Sequence, residues 1–91
     1  MITVYKISSP STEKCYIGQT TKQIRQRLYE HRTDFKNYKL GKRNYRSSFE
    51  ILKFGNAIIE SLEETIKENK SACERKHILE NNSVNMIYQF G

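Results

Sequence analysis

Two short stretches near the N-terminus are rich in residues that favour β-strands. In residues 2–7, isoleucine and valine alternate with threonine and tyrosine, and this period of two predicts a strand. A polar segment at 8–12, which holds the only proline, predicts a turn, and residues 14–18 predict the returning strand of an antiparallel hairpin. Tyr5 lies in the first strand and Tyr16 in the second. The register decides whether they share a face of the sheet, and the sequence leaves that register open.

An amphipathic helix is predicted after the hairpin. Residues 18–21 form the turn into it, and the hydroxyl of Thr20 or Thr21 can cap its first turn. Apolar side chains recur at helical spacing and are expected to face the core: Ile24, Leu28 and Phe35. Arg27 and His31 are four residues apart, so they lie on one side of this helix. From spacing alone, the simpler interpretation is a solvated face that carries a partly buried histidine.

A short helix and a third strand are predicted next. Ser47 and Glu50 have the spacing of a capping box, which predicts a helix start at this point. Phe49 and Leu52 would then face inward, and Gly55 would end the helix in the left-handed conformation. The isoleucine-rich residues 57–62 predict the third strand.

A last helix completes the predicted fold. Thr65 and Glu68 form a second possible capping box and would start this helix, which ends near residues 81–82. Its apolar side is expected to consist of Ile66, Cys73, Ile78 and Leu79. Residues 84–88 predict a short extended segment that closes the core. This order of elements predicts one α+β domain over residues 1–91, with a small three-stranded, mostly antiparallel sheet flanked by helices.

The charge of the chain changes the expected class of partner. Lysine and arginine number 16 against 10 aspartates and glutamates, which gives +6, and such an excess favours a polyanion, with nucleic acid ahead of an anionic membrane surface. No apolar run is long enough for a membrane helix. Two distant cysteines without a secretion signal predict reduced thiols inside a cell. The lack of a CxxC pair argues against a structural zinc site.

The most basic segment spans residues 36–46. Its cations are Lys36, Lys39, Lys42, Arg43 and Arg46, and they are interleaved with two tyrosines, Tyr38 and Tyr45. Cations suit phosphates and aromatic rings suit bases, so this segment is the candidate nucleic-acid-binding region. The alternative is a flexible charged loop that has no partner.

Neither a phosphate-binding GxxxxGK[ST] loop nor an HExxH zinc motif is present. The candidate catalytic residues instead form a motif whose parts are dispersed along the chain. The motif consists of Thr3-Val4-Tyr5, Tyr16-Ile17-Gly18, Arg27, His31, Glu74 and Asn85. In this order, and in a basic chain of this length, the set resembles the GIY-YIG nuclease family from residue 3 to about residue 88. The first element departs from the family pattern because Thr3 stands where the family has glycine. Among three nearby asparagines, Asn85 is chosen because it follows an apolar residue at the start of the closing segment.

The resemblance implies a divalent-metal-dependent endonuclease that hydrolyses DNA. Glu74, a hard oxygen ligand, would hold Mg²⁺ (or Mn²⁺) together with waters and a substrate phosphate. Arg27 would grip the nonbridging phosphate oxygens with its planar fork. Tyr5 is expected to act on the attacking water while His31 relays the proton, and Tyr16 would orient the phosphate, although the two tyrosines could exchange roles.

Two other functions remain as alternatives. The first is a nucleic-acid-binding module that keeps this fold and does not cleave. The second is a small basic domain for protein–protein interaction. Oligomeric state and sequence specificity are left open, and Cys73 and His77 are interpreted as structural residues.

Overall fold

Three antiparallel strands form one sheet in the order β2-β1-β3, with helices packed on both faces. The structure is a computed structural model and describes residues 1–85. Its elements are β1 (Ile2–Ser8), β2 (Cys15–Thr20), α1 (Ile24–Lys39), α2 (Phe49–Leu52), β3 (Ile58–Thr65) and α3 (Lys70–Glu80), with a 3-10 turn at Lys67–Asn69. The predicted α+β class with a three-stranded sheet is therefore confirmed. Of the predicted closing segment, residues 86–88 lie outside the described part of the chain.

The register of the hairpin places the two tyrosines on one face. Tyr5 pairs with Gly18, and Ile7 pairs with Tyr16. Directly paired residues share a face, and so do residues two apart on one strand. Tyr5 and Tyr16 are therefore diagonal neighbours, with ring centroids 6.4 Å apart.

The two faces of the sheet have separate apolar clusters. The tyrosine face packs on α1 and α2, and its buried cluster consists of Tyr5, Ile7, Phe49, Ile51, Leu52 and Ala57. Ile24, Leu28 and Phe35 of α1 pack against it, as predicted. The opposite face packs on α3, and its buried cluster consists of Val4, Cys15, Ile17, Cys73 and Ile78.

The predicted start of α1 is wrong by a few residues. Strand β2 continues to Thr20, so Gly18 lies inside a strand instead of in a turn. The N-cap residue of α1 is Gln23, which makes no side-chain capping bond. The Thr20 hydroxyl accepts a hydrogen bond from the Lys22 N–H instead, before the helix begins.

Neither predicted capping box forms. Ser48, and not Ser47, is the N-cap residue of α2, and it makes no side-chain capping bond. Thr65 is the last residue of β3, which ends three residues later than predicted. The inward positions of Phe49 and Leu52 are confirmed, since both are buried. Gly55 follows α2 with φ 78°, the left-handed conformation expected there.

Only two of the four apolar residues predicted for the inner side of α3 are buried. Cys73 and Ile78 are buried, whereas Ile66 and Leu79 are more than half exposed. Ile66 precedes the 3-10 turn and does not belong to α3 at all. The difference arises because α3 begins at Lys70, five residues after the predicted capping residue Thr65, and the chain enters it through the 3-10 turn.

The outer edge of β2 is covered by the segment that follows α3. The Cys15 N–H donates to the Asn82 carbonyl at 2.9 Å, and the Val84 N–H donates to the Cys15 carbonyl at 2.8 Å. This segment therefore extends the sheet as a short parallel bridge, Cys15 with Ser83. Within residues 1–85, no helix combines the length and the apolar character needed to cross a membrane.

Candidate functional site

A hydrogen-bonded cluster on the tyrosine face joins β1 to α1. The Tyr5 hydroxyl lies 2.7 Å from His31 Nε2, and Arg27 Nε donates to the same hydroxyl oxygen at 3.3 Å. Arg27 and His31 are one turn apart on α1, so both reach the middle strand of the sheet. Tyr5 and His31 are almost completely buried, and Arg27 is half-buried. The structure thus brings together three residues that the sequence predicts.

The proton positions in this cluster follow from its donors. Because the guanidinium of Arg27 can only donate, the Tyr5 oxygen accepts from it, and the Tyr5 O–H points to His31 Nε2. His31 then carries its proton on Nδ1, which lies 3.2 Å from the Ser48 hydroxyl oxygen. Burial, and then the positive charge of Arg27, lower the pKa of His31 to about 4. The imidazole is therefore neutral at pH 7.

Tyr16 lies beside the cluster and is more accessible than Tyr5. Its ring centroid is 5.4 Å from that of His31, in an edge-on arrangement. Tyr5 has no exposed surface, whereas Tyr16 is partly exposed. Burial, followed by the charge of Glu74, raises the pKa of Tyr16, and burial also raises the pKa of Tyr5.

Gly18 is required by the position of the Tyr5 ring. A β-carbon built on Gly18 would lie 2.4 Å from the Tyr5 hydroxyl oxygen and 2.5 Å from its Cζ. The end of the phenol ring therefore lies directly over the Gly18 backbone. The glycine provides space for the phenol, which is a different role from the turn position that the sequence predicts.

Glu74 approaches this site from α3, on the other side of the sheet. Its side chain is half-buried, and its Oε2 accepts a hydrogen bond from the Gln19 amide. Burial raises the pKa of Glu74, and its negative charge raises the pKa of Tyr16 and of Tyr5. A carboxylate held in this way is a hard oxygen ligand. It fits a hard divalent ion such as Mg²⁺ or Mn²⁺ that completes its coordination with waters and phosphate oxygens.

Asn85 holds the backbone of β2. Its Oδ1 accepts from the Ile17 N–H at 2.9 Å, and its Nδ2 donates to the Ile17 carbonyl at 2.8 Å. Both polar atoms of the Asn85 amide are therefore hydrogen-bonded to the backbone of the strand that carries Tyr16 and Gly18. The structure gives Asn85 a positioning role, whereas the sequence groups it with the catalytic residues.

Two basic grooves meet at Arg27. The first, of about 450 Å³, runs along α1 to Arg43 and Arg46, which pair with Asp34 at 3.4 and 3.9 Å. The second, of about 320 Å³, runs the other way and is lined by residues that include Lys22 and Lys70. Together they form a basic track across the site, and Glu30, which is paired with Arg27 and Lys22, lies in both.

The predicted basic segment divides between two sides of the molecule. Lys36 and Lys39 belong to the last turn of α1 instead of to a loop. Nine residues advance an α-helix by about two and a half turns, so Lys36 lies on the opposite side of α1 from Arg27. Lys39 lies over the Phe35 ring at 4.8 Å, also away from the groove. Lys42 lines the exposed loop beside Arg43.

The two tyrosines of the basic segment pack with each other and with α2. The ring centroids of Tyr38 and Tyr45 are 5.7 Å apart, and both rings lie within 6 Å of the Phe49 ring. The Tyr45 hydroxyl also donates to Glu50. These contacts anchor the loop, and part of each ring remains exposed.

Comparison of the chain with protein-family models, with curated proteins and with solved structures gave no match. The chemistry of the site therefore has to be argued from its own residues.

Three residues that support the site are absent from the sequence predictions. Ser48 orients His31, Gln19 holds Glu74, and Glu30 pairs with Arg27 at 2.9 Å. Of the three, only Glu30 could have been predicted from sequence spacing, because it follows Arg27 by three residues on one helix. Ser48 and Gln19 come from other elements, and only the folded chain brings them to the site.

This arrangement can bind an anion and hold the binding group in a fixed orientation. A guanidinium carries five N–H donors, and within residues 1–85 Arg27 uses Nε for Tyr5 and Nη1 for Glu30. The remaining N–H groups of Arg27 can donate to a phosphate oxygen. The chain Ser48–His31–Tyr5 fixes the oxygen that accepts from Arg27 and so fixes the direction of the guanidinium.

Proposed function

We propose that the chain is a divalent-metal-dependent endonuclease of the GIY-YIG type that hydrolyses DNA phosphodiester bonds. The observation that carries the proposal is the hydrogen-bonded cluster of Tyr5, Arg27 and His31. Tyr16 lies beside this cluster, and the charge of Glu74, from the other side of the sheet, acts on Tyr16. Support also comes from the net charge of +6 and from the two basic grooves that meet at Arg27. The proposal places the chain inside a cell, which accords with two buried free cysteines.

The energetics argue against a proton relay from Tyr5 to His31. An unperturbed tyrosine has a pKa of about 10, and burial raises the pKa of Tyr5 further, while that of His31 is about 4. Burial thus makes the phenol a weaker acid and the imidazole a weaker base, so transfer of the proton from Tyr5 to His31 is unfavourable. We therefore assign Tyr5 and His31 to the positioning of Arg27.

Tyr16 is the better candidate to contact the attacking water. It is partly exposed and can therefore reach a water molecule, whereas Tyr5 is fully buried. A divalent ion held by Glu74 would stabilise charge on the phosphate oxygens and lower the pKa of Tyr16. This assignment exchanges the two tyrosine roles that the sequence favours.

Arg27 binds the phosphate in this scheme. Its guanidinium is held by Tyr5 and Glu30, so the direction of its donors is set before substrate binds. Donors that are already oriented lose little freedom when negative charge develops on the phosphoryl oxygens. One such site cuts one strand, so a double-strand break requires two copies or two visits.

Changing Arg43 and Arg46 together to glutamine is expected to weaken DNA binding and to reduce its salt dependence. Each lost phosphate contact lowers the slope of log affinity against log salt by about 0.9, so two contacts lower it by about 1.8. Fluorescence anisotropy over a range of salt concentrations measures this slope. The matched control is the Lys36→Gln/Lys39→Gln pair, which removes the same charge away from the groove. An equal loss of slope in the control would contradict the proposed DNA path.

The proposed activity is tested by incubating supercoiled plasmid with the chain in Mg²⁺, in Mn²⁺ and in EDTA. We expect conversion to nicked circles with either metal and none with EDTA. A chain that binds DNA with a steep salt slope but never nicks it under these conditions would instead be the inactive nucleic-acid-binding module.

A further inference from the structure

Three potential metal ligands meet on the face of the sheet opposite the tyrosines. Glu63 comes from β3, and Cys73 and His77 come from α3. One ligand atom from each residue lies within 4.8 Å of the other two. Cys73 is buried, the His77 side chain is 14% exposed, and the Glu63 side chain is 39% exposed. This cluster has no part in the site proposed above.

The geometry of the cluster suits one small ion. Cys73 and His77 are four residues apart, so their side chains leave α3 on the same side, one turn from each other. Bonds from zinc to sulfur, nitrogen and oxygen are about 2.0–2.3 Å, so two ligands of a tetrahedral ion are separated by roughly 3.3–3.8 Å. Small side-chain rotations bring atoms within 4.8 Å to that separation.

We propose that Glu63, Cys73 and His77 form a binding site for Zn²⁺, with a water as the fourth ligand. The combination of a thiolate, an imidazole and a carboxylate is selective for zinc over Mg²⁺, which prefers oxygen ligands alone. The site is independent of the proposed nuclease function. It links β3 to α3 and so stabilises the packing of α3 on the sheet.

Present contacts already orient two of the ligands. His77 Nε2 lies 2.9 Å from Glu63 Oε1, and its Nδ1 faces Glu80 at 4.0 Å. This distance is too long for a hydrogen bond, but a small rotation of the exposed Glu80 side chain would supply the carboxylate that commonly supports a metal-binding Nε2. Lys76 Nζ lies 2.8 Å from the same Glu63 oxygen, and its side chain is half exposed. Lys76 thus competes with the ion for Glu63 and can move into solvent when the ion binds.

Sequence spacing alone does not reveal this site. The expectation against zinc rested on the lack of a CxxC pair, but here a cysteine and a histidine share one helical turn. The third ligand comes from a neighbouring strand, and that proximity exists only in the folded chain.

The test is a Co²⁺ titration of the metal-free chain, read by absorption. We expect the near-ultraviolet band of a thiolate bound to Co²⁺, removed by Zn²⁺ and retained in millimolar Mg²⁺. Cys73→Ser is expected to abolish the band, whereas the matched variant Cys15→Ser keeps it. Lys76→Gln is expected to tighten binding by up to about fivefold, because it removes an exposed competing ion pair.

Two further measurements distinguish loss of the metal site from loss of the fold. His77→Gln, shown by circular dichroism to be folded, is expected to weaken Co²⁺ binding by more than about tenfold. Zn²⁺ in hundredfold excess over its dissociation constant is expected to raise the melting temperature of the wild type by about 15 °C. The proposal is overturned if the wild type gives no thiolate band, if Cys73→Ser keeps it, or if Cys15→Ser loses it.

Discussion

Tyr16→Phe is expected to lower the rate of DNA cleavage by about 10²–10⁴-fold, the usual contribution of a positioned acid or base. Tyr5→Phe is expected to lower it by only about tenfold, since it removes one hydrogen bond that orients Arg27. The difference arises because Tyr16 is partly exposed and Tyr5 is fully buried. Single-turnover nicking of plasmid, with folding confirmed by circular dichroism, measures both effects.

The pH dependence of cleavage separates the two roles. Burial and Glu74 raise the pKa of Tyr16, so its active, deprotonated form increases with pH over the whole range below that pKa. We expect the wild-type rate to rise by about tenfold per pH unit in that range. Tyr5→Phe should keep this rise, and Tyr16→Phe should lose it. The roles are reversed if Tyr5→Phe is the variant that loses both the rate and the pH dependence.

Gly18→Ala is expected to damage both stability and activity. The new β-carbon would lie 2.4 Å from the Tyr5 hydroxyl oxygen, and Tyr5 cannot move without leaving His31. Overpacking of this kind costs about 1–3 kcal/mol of unfolding free energy. A shift of Tyr5 also misdirects Arg27, and misplacement by about 1 Å can lower a rate by about 10²-fold. Urea denaturation and plasmid nicking measure the two losses.

Gly55→Ala provides the matched control for a glycine substitution. Gly55 has φ 78° and no atom within 4 Å of its built β-carbon, so alanine there is strained without a steric clash. Left-handed backbone costs an alanine about 1–2 kcal/mol, and cleavage should be unchanged apart from that loss. If Gly18→Ala were as stable and as active as the wild type, the Tyr5 ring would not lie over Gly18.

The parts of the site that local patterns determine are predictable from the sequence. Strand alternation places Tyr5, and the helical spacing of Arg27 and His31 places them on one side of α1. The structure adds that all three meet through one phenol oxygen and one imidazole nitrogen. The α+β class follows in the same way from the order of the strand and helix signals.

The parts that depend on tertiary contacts are not predictable. The hairpin register decides that Tyr16 shares the face of Tyr5, and Gly18 is needed only because of that register. The capping expectation at α2 is wrong because the hydroxyl of the N-cap residue, Ser48, pairs with His31 instead of a backbone N–H. The motif groups Asn85 with the catalytic residues, and only the folded chain shows that both polar atoms of its amide bond the backbone of β2.

Basic composition likewise predicts a polyanion partner without showing where it binds. Lys36 and Arg43 are close in sequence and similar in charge, but α1 extends to Lys39 and carries Lys36 to the side away from Arg27. Lys70, which lines the second groove, lies outside the basic segment altogether.

The most direct test is the nicking rate of Glu74→Gln beside the wild type over a range of Mg²⁺ concentrations. Glu68→Gln, an exposed change in the 3-10 turn just before the same helix, serves as the control. The account predicts that the wild type and the control show saturable, Mg²⁺-dependent nicking, while folded Glu74→Gln binds DNA but does not nick it at any Mg²⁺ concentration. Nicking by Glu74→Gln at the wild-type rate would contradict the account, because Glu74 would then not hold the metal.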